Sequence, residues 1–173
     1  LMEWTANIEN LKKNPVYDYN LSVKAKKILQ KNNLKVNSLT CDFFMQKPLF
    51  KKKNKDYCIK VLKKVITNSQ SFGIKYFIIP LVDNSSIKNL IQENVLIYEM
   101  LKISKLLKKK SMILFEIDFP PKKVLKFIKK FNIKFGINYD TGNSASLNYN
   151  FDEEKNYFKF VKNIHIKDRE KNG

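Results

Sequence analysis

Five short apolar runs alternate with longer lysine-studded stretches along this chain, and that alternation limits its fold more than any other feature. The runs are residues 34–41, 74–81, 112–117, 133–139 and 161–166. Each is apolar almost throughout, as parallel strands covered on both faces are. The stretches between them read as helices. Residues 21–30 set Val23, Ile28 and Leu29 on or near one face. Residues 56–69 repeat Ile59, Leu62, Val65 and Ile66 at helical spacing, and 94–107 do so with Leu96, Ile97, Met100, Leu101, Ile103 and Leu107. Pro120-Pro121 opens a helix over 122–130, since proline suits a first turn. Asp152 is the expected N-cap of a helix over 153–160. Repeated strand–helix units predict an α/β fold with a parallel sheet.

A (β/α)8 barrel takes about 250 residues for eight units. This chain has 173, enough for five strands and the strand stub Leu1-Met2-Glu3-Trp4. The expectation is therefore an incomplete TIM barrel, residues 1–173 forming one partial domain with the first strand and the final unit missing. Such a piece has two unpaired edges and is expected to be poorly soluble and inactive alone. The rival is an open doubly wound sheet. A glycine-rich phosphate loop after the first strand would favour it, and none is present.

The net charge of +18 invites a nucleic-acid partner. Yet the basic residues are lysines with Arg169 the one arginine, and Asn, Ile, Phe and Tyr are abundant. These residues have A/T-rich codons, so base composition accounts for the charge, and no nucleic-acid partner is expected. No apolar run approaches the ~20 residues of a membrane span. Cys41 and Cys58 are too few for a disulfide framework and fit no zinc spacing. A reducing cytoplasm is the simplest compartment. The oligomeric state is left open between a monomer and a homo-oligomer.

Three strand ends carry one good metal ligand each: Glu116, Asp140 and His165, 24 and 25 residues apart. That is about one strand–helix unit each time, which in a parallel barrel puts all three on the rim where active sites lie. Two carboxylates and an imidazole suit Mn²⁺, Mg²⁺, Co²⁺ or Zn²⁺. Three ligands leave positions open for a substrate carbonyl and hydroxyl, and a nearby carboxylate can move a proton beside that carbonyl. Taken singly, Asp140 reads as a turn or cap residue and His165 as a core histidine. Glu116, between Phe115 and Ile117, is costly in a buried strand without a partner.

The chain also resembles a family. Thr40-Cys41-Asp42-Phe43-Phe44-Met45, Pro80-Leu81-Val82-Asp83-Asn84-Ser85-Ser86, Glu116-Ile117-Asp118-Phe119-Pro120-Pro121, Asn138-Tyr139-Asp140-Thr141-Gly142-Asn143 and His165-Ile166-Lys167-Asp168-Arg169 occur in order. These segments are similar to the sugar phosphate isomerases/epimerases of the xylose isomerase-like TIM-barrel superfamily, including L-ribulose-5-phosphate 3-epimerase. The resemblance implies that Glu116, Asp140 and His165 are metal ligands and that a further glutamate ligand lies after Gly173. It implies a proton-transfer role for Glu116 through a cis-enediolate of a ketose or ketose phosphate. Arg169 would face a substrate oxygen or phosphate. Asn143 stands where some free-ketose epimerases have histidine, which leans toward a phosphorylated sugar. Glu3 would line the same pocket. Two alternatives share the barrel: an endonuclease IV-like repair enzyme, disfavoured by a single histidine, and a sugar-binding barrel without catalysis.

Overall fold

The computed structural model describes residues 2–170. Six strands form one parallel sheet in sequential order: β1 (Met2–Thr5), β2 (Val36–Thr40), β3 (Tyr76–Leu81), β4 (Met112–Ile117), β5 (Phe135–Asp140) and β6 (Val161–His165). The helices are α1 (Tyr19–Lys31), α2 (Phe43–Gln46), α3 (Lys52–Ser69), α4 (Leu90–Ile103), α5 (Pro121–Ile128), α6 (Thr141–Ser146) and α7 (Phe151–Glu154). Sequential order excludes the doubly wound sheet, whose strand order reverses at a switch point.

The sheet also curls. Laid flat, five spacings of about 4.8 Å would hold β1 and β6 roughly 24 Å apart. Instead Glu3 on β1 and His165 on β6 meet across the interior, with Oε1 and Nε2 2.9 Å apart. That contact requires the curvature of a barrel wall. The six strands make a half-barrel, as expected of an incomplete TIM barrel.

Apolar strand residues and one helix face build the core outside the sheet. Phe115 on β4 packs against Phe127, Phe131 and Phe135, its ring 10° from parallel with Phe135 and edge-on to Phe127. Helix α5 presents Val124, Phe127 and Ile128 to that cluster. Pro80 sits inside β3, a position proline tolerates only where no ladder partner waits. The β2 ladder ends at the Thr40–Ile78 pair, two residues earlier. The Pro80 carbonyl is taken by the Ser85 hydroxyl at 2.6 Å.

Gly136 is required by close approach. A Cβ there would lie 2.9 Å from the Phe160 carbonyl and 2.9 Å from Lys162 Cγ. Gly136→Ala is expected to push β6 off β5 and to cost about 1–3 kcal/mol, read as a lowered denaturation midpoint with the fold retained.

Some expectations need correction. Val23 and Ile28 on α1 are exposed, and Ser22 is the buried residue of that helix. The helix expected over 153–160 is instead the short α7 followed by a 3₁₀ segment, Lys155–Phe160. Its cap is Asn150, whose side chain accepts from the Asp152 N–H at 2.8 Å, so Asp152 lies inside the first turn. Asn148, at φ 54, turns the chain just before and sets that start. Helix α4 begins at Leu90, earlier than read, because Asn89 caps it. Strand β6 alternates between half-buried and exposed residues and is not covered on both faces. Leu1 of the strand stub lies outside the described residues.

Candidate functional site

Glu116, Asp140 and His165 stand at the C-terminal ends of β4, β5 and β6, and one ligand atom from each falls within 4.8 Å of the others. Register explains it. Asp140 pairs directly with His165 across β5 and β6, and Glu116 ends β4 beside Pro80 of β3.

Asp140 does two jobs with two oxygens. Oδ1 accepts from the Asn143 N–H at 3.0 Å and caps α6. Oδ2 is buried and meets the Lys167 ammonium at 2.7 Å, off any hydrogen-bond direction. Thus the cap reading of Asp140 holds for one oxygen and leaves the other facing the site.

The buried Glu116 has its charge answered on every side. Oε2 accepts from Asn138 Nδ2 at 2.8 Å and lies 3.2 Å from His165 Nδ1. Oε1 accepts from Asn143 Nδ2 at 3.1 Å. His165 is wedged between carboxylates: Nδ1 is 3.9 Å from Asp140 Oδ2, and Nε2 is 2.9 Å from Glu3 Oε1 but also off the hydrogen-bond direction. The carboxylates of Glu116 and Glu3 beside the ring outweigh burial and raise the imidazole pKa to about 9.

Glu3 lines the cavity, as expected. Ser38 Oγ donates to Oε2 at 2.6 Å and Thr40 Oγ1 to Oε1 at 2.9 Å. Burial works to raise its pKa, but the neighbouring His165 ring and the hydroxyl bonds from Ser38 and Thr40 prevail and hold it below the ordinary value. Arg169 is exposed at the mouth, with Nη1 3.4 Å from Asn143 Oδ1. Gly142 lets this segment pass, since a Cβ there would sit 3.0 Å from Lys167 Cβ. The Ser85 hydroxyl donates to the carbonyls of Pro80 and Val82 and does not face the site.

Four residues escaped the sequence reading of roles. Asn138 bridges Glu116 and His165 and is itself fixed by Asn163. Lys167 meets Asp140; burial opposes its charge, yet the Asp140 carboxylate beside it keeps its pKa above the ordinary lysine value. Asp42 faces the same cavity, and burial followed by the nearby Glu116 charge raises its carboxyl pKa. Glu154 lies behind the site, buried, with hydroxyls of Tyr139, Ser144 and Tyr157 donating to it. It ties β5 to α6 and so steadies Asp140. A polar residue inside an apolar strand was the available signal for Asn138.

Glu116 and His165 open into a cavity of about 510 Å³ that Glu3, Asp42 and Lys167 also line, with Met45, Val82 and Ile164 as its apolar wall. The donor set fits a divalent cation. It supplies two carboxylates and an imidazole, and it leaves Asp140 Oδ2 and His165 Nε2 buried without a directed hydrogen bond. Such atoms are costly unless charge or a cation satisfies them.

Among known proteins, no family model and no curated protein sequence matches this chain. Solved structures do match. A xylose isomerase-like TIM barrel protein from Mycobacterium smegmatis, in complex with magnesium, superposes with a TM-score of 0.72 at 13% identity, over 88% of this chain and 57% of that one. A sugar phosphate isomerase/epimerase from Parabacteroides distasonis gives 0.69 at 17% identity, over 96% and 64%. The IOLI protein with a bound zinc atom gives 0.69 at 17%, over 92% and 59%. The chain thus spans less than two thirds of each of these structures. At this identity the likeness establishes the fold alone, part of a (β/α)8 barrel wall. Among the described residues, no helix is long and apolar enough to cross a membrane.

Proposed function

We propose that this chain carries the proton-transfer site of a divalent-metal-dependent sugar-phosphate isomerase or 3-epimerase, similar to the L-ribulose-5-phosphate 3-epimerase group. One observation carries the reading: ligand atoms of Glu116, Asp140 and His165, borne on three adjacent strand ends, converge within 4.8 Å, and Glu116 and His165 line the adjoining cavity. A sugar phosphate isomerase/epimerase among the structural neighbours, and two further neighbours holding magnesium and zinc, support it.

In this reading Glu116, Asp140 and His165 hold the cation, which when bound supplies Lewis-acid polarisation of a carbonyl. Glu116 takes the proton from the carbon beside that carbonyl and leaves a cis-enediolate. Delivery of that proton by Glu116 to the neighbouring carbon gives the isomer; the 3-epimer needs a proton from a second acid on the opposite face, a role for the further glutamate that the resemblance implies. Asn143 keeps Glu116 oriented through Oε1. Arg169 and Lys167, at the rim of the same cavity, bind the phosphate or a hydroxyl oxygen, cationic groups suited to that charge. Met45, Val82 and Ile164 exclude water from the reacting carbon. The two cysteines, both buried and free, suit a reducing cytoplasm.

The test is solvent exchange. With Mn²⁺ and ketopentose phosphates in D₂O, the whole protein is expected to place deuterium on the carbon beside the carbonyl of at least one sugar. No incorporation across a panel of phosphorylated and free ketoses would end the proposal.

A further inference from the structure

We infer that this chain carries a second ligand site at the other end of the sheet from Glu116: a lysine-rimmed pocket for a phosphate ester with a flat apolar group, such as a nucleoside diphosphate. The site is independent of the metal-site reading above, since no residue lines both this pocket and the cavity of Glu116 and His165.

The pocket is a cavity of about 660 Å³ at the N-terminal starts of β2 to β5. Steps of about 3.3 Å put Met112 roughly 13 Å along β4 from Glu116. Its apolar lining is Ile74, Met112 and Ile133, the last 92% exposed. Its rim carries Lys75, Lys108, Lys109, Lys110 and Lys134, and no acidic residue lines it. Among the described residues the lysine ion pairs belong to Lys55, Lys122, Lys130, Lys155 and Lys167, so none of these five has a carboxylate partner. Base composition explains a lysine-rich chain, but not five lysines around one cavity without an acid. Like charges so placed repel one another and attract an anion.

Lys134 is held in place. It is half-buried, and its ammonium donates to the carbonyls of Leu107 at 2.8 Å and Lys108 at 3.1 Å. An ammonium has three donors, so one remains, and its charge is met by dipoles alone. The same two bonds pin the turn that bears Lys108, Lys109 and Lys110. Gln70 Nε2 ties that segment to the neighbouring loop through the Leu106 carbonyl at 3.0 Å, and Ser111 Oγ does so through the Ile74 carbonyl at 3.1 Å. The lysines therefore stand on a fixed frame, and lysine binds phosphate as a point charge. The apolar side chains select the rest of the ligand. A bare phosphate would leave Ile74, Met112 and Ile133 uncovered, whereas a flat ring covers them, and the volume suits a molecule of that size.

The chain has four methionines, and two of them mark the two cavities: Met45 that of Glu116, Met112 this one. With methyl-¹³C methionine in the whole protein, ADP is expected to shift the Met112 signal saturably and to leave Met45 in place. Adenosine and pyrophosphate, each half of that ligand, should both bind more weakly than ADP. Lys134→Gln should weaken ADP binding about tenfold. The double variant Lys109→Gln/Lys110→Gln, at exposed positions that leave the fold intact, should weaken it about three- to tenfold, and it carries the test if Lys134→Gln does not fold. Lys51→Gln/Lys52→Gln/Lys53→Gln, on another exposed lysine run, should change nothing. Equal losses from the two lysine sets would mean general charge attraction and would overturn the inference. So would the absence of ADP binding, or a shift of Met45 alone, which puts the anion in the other cavity. A single-stranded oligothymidylate bound far more tightly than ADP would also overturn it, by making the patch a nucleic-acid surface.

Discussion

Glu116→Gln is expected to reduce deuterium exchange by about 10²–10⁴-fold, the usual contribution of a general base, while the protein still folds. The side chain keeps its length and shape, so the core behind it is undisturbed. The cost to folding is small but real. Glu116 accepts from two amides, Asn138 on one oxygen and Asn143 on the other. A glutamine has one oxygen for the two donors, and one buried N–H loses its partner at about 1–3 kcal/mol. The variant should also release Asp42, whose carboxyl pKa Glu116 helps to raise. Activity lost together with all cooperative unfolding would assign Glu116 a structural role instead. Activity retained within a few-fold would remove it from the chemistry.

Metal affinity should climb steeply with pH. Glu116 and Glu3 raise the His165 pKa to about 9, so at neutral pH a cation must displace a proton from the ring. Affinity should then rise about tenfold per pH unit until it levels off near pH 9, well above the 6.5 of an unperturbed histidine. The protein stripped of metal should behave oppositely. Its folded-state pKa is raised, so the stabilisation from protonated His165 is full below about 6.5 and is lost as pH rises through about 9. Calorimetric titration with Mn²⁺ between about pH 6 and 8, beside thermal melts without metal, reads both slopes. An affinity flat across that range would mean that His165 does not take part in binding.

Much of this architecture is written locally. Runs of β-branched and aromatic residues mark β3 and β4 almost to the residue, because buried parallel strands admit few other side chains. The four-residue β1 was legible only as a stub, yet it delivers Glu3 to the interior. The misreadings have local causes as well. Asn150 and Asp152 are both good caps, and the left-handed Asn148 chose between them. Val23 and Ile28 have helical spacing, but spacing does not say whether another element covers them, and they remain exposed.

The site followed the same division. Glu116 stood out as a charge in an apolar strand, whereas Asn138 is almost fully buried in the next strand and drew no notice as a neutral residue. Asp140 was weighed as cap against ligand, and its two oxygens allow both. The meeting of Glu3 with His165 depends on sheet curvature, a long-range property that no window of sequence displays.

In the proposed site Glu116, Asp140 and His165 together hold one divalent cation. Crystals of the protein grown with Zn²⁺ and measured at the zinc absorption edge test it most directly. One strong anomalous peak is expected among the three side chains, at about 2.0–2.2 Å from a nitrogen of His165 and a carboxylate oxygen of each acid. A map with zinc elsewhere and nothing between Glu116, Asp140 and His165 would contradict it.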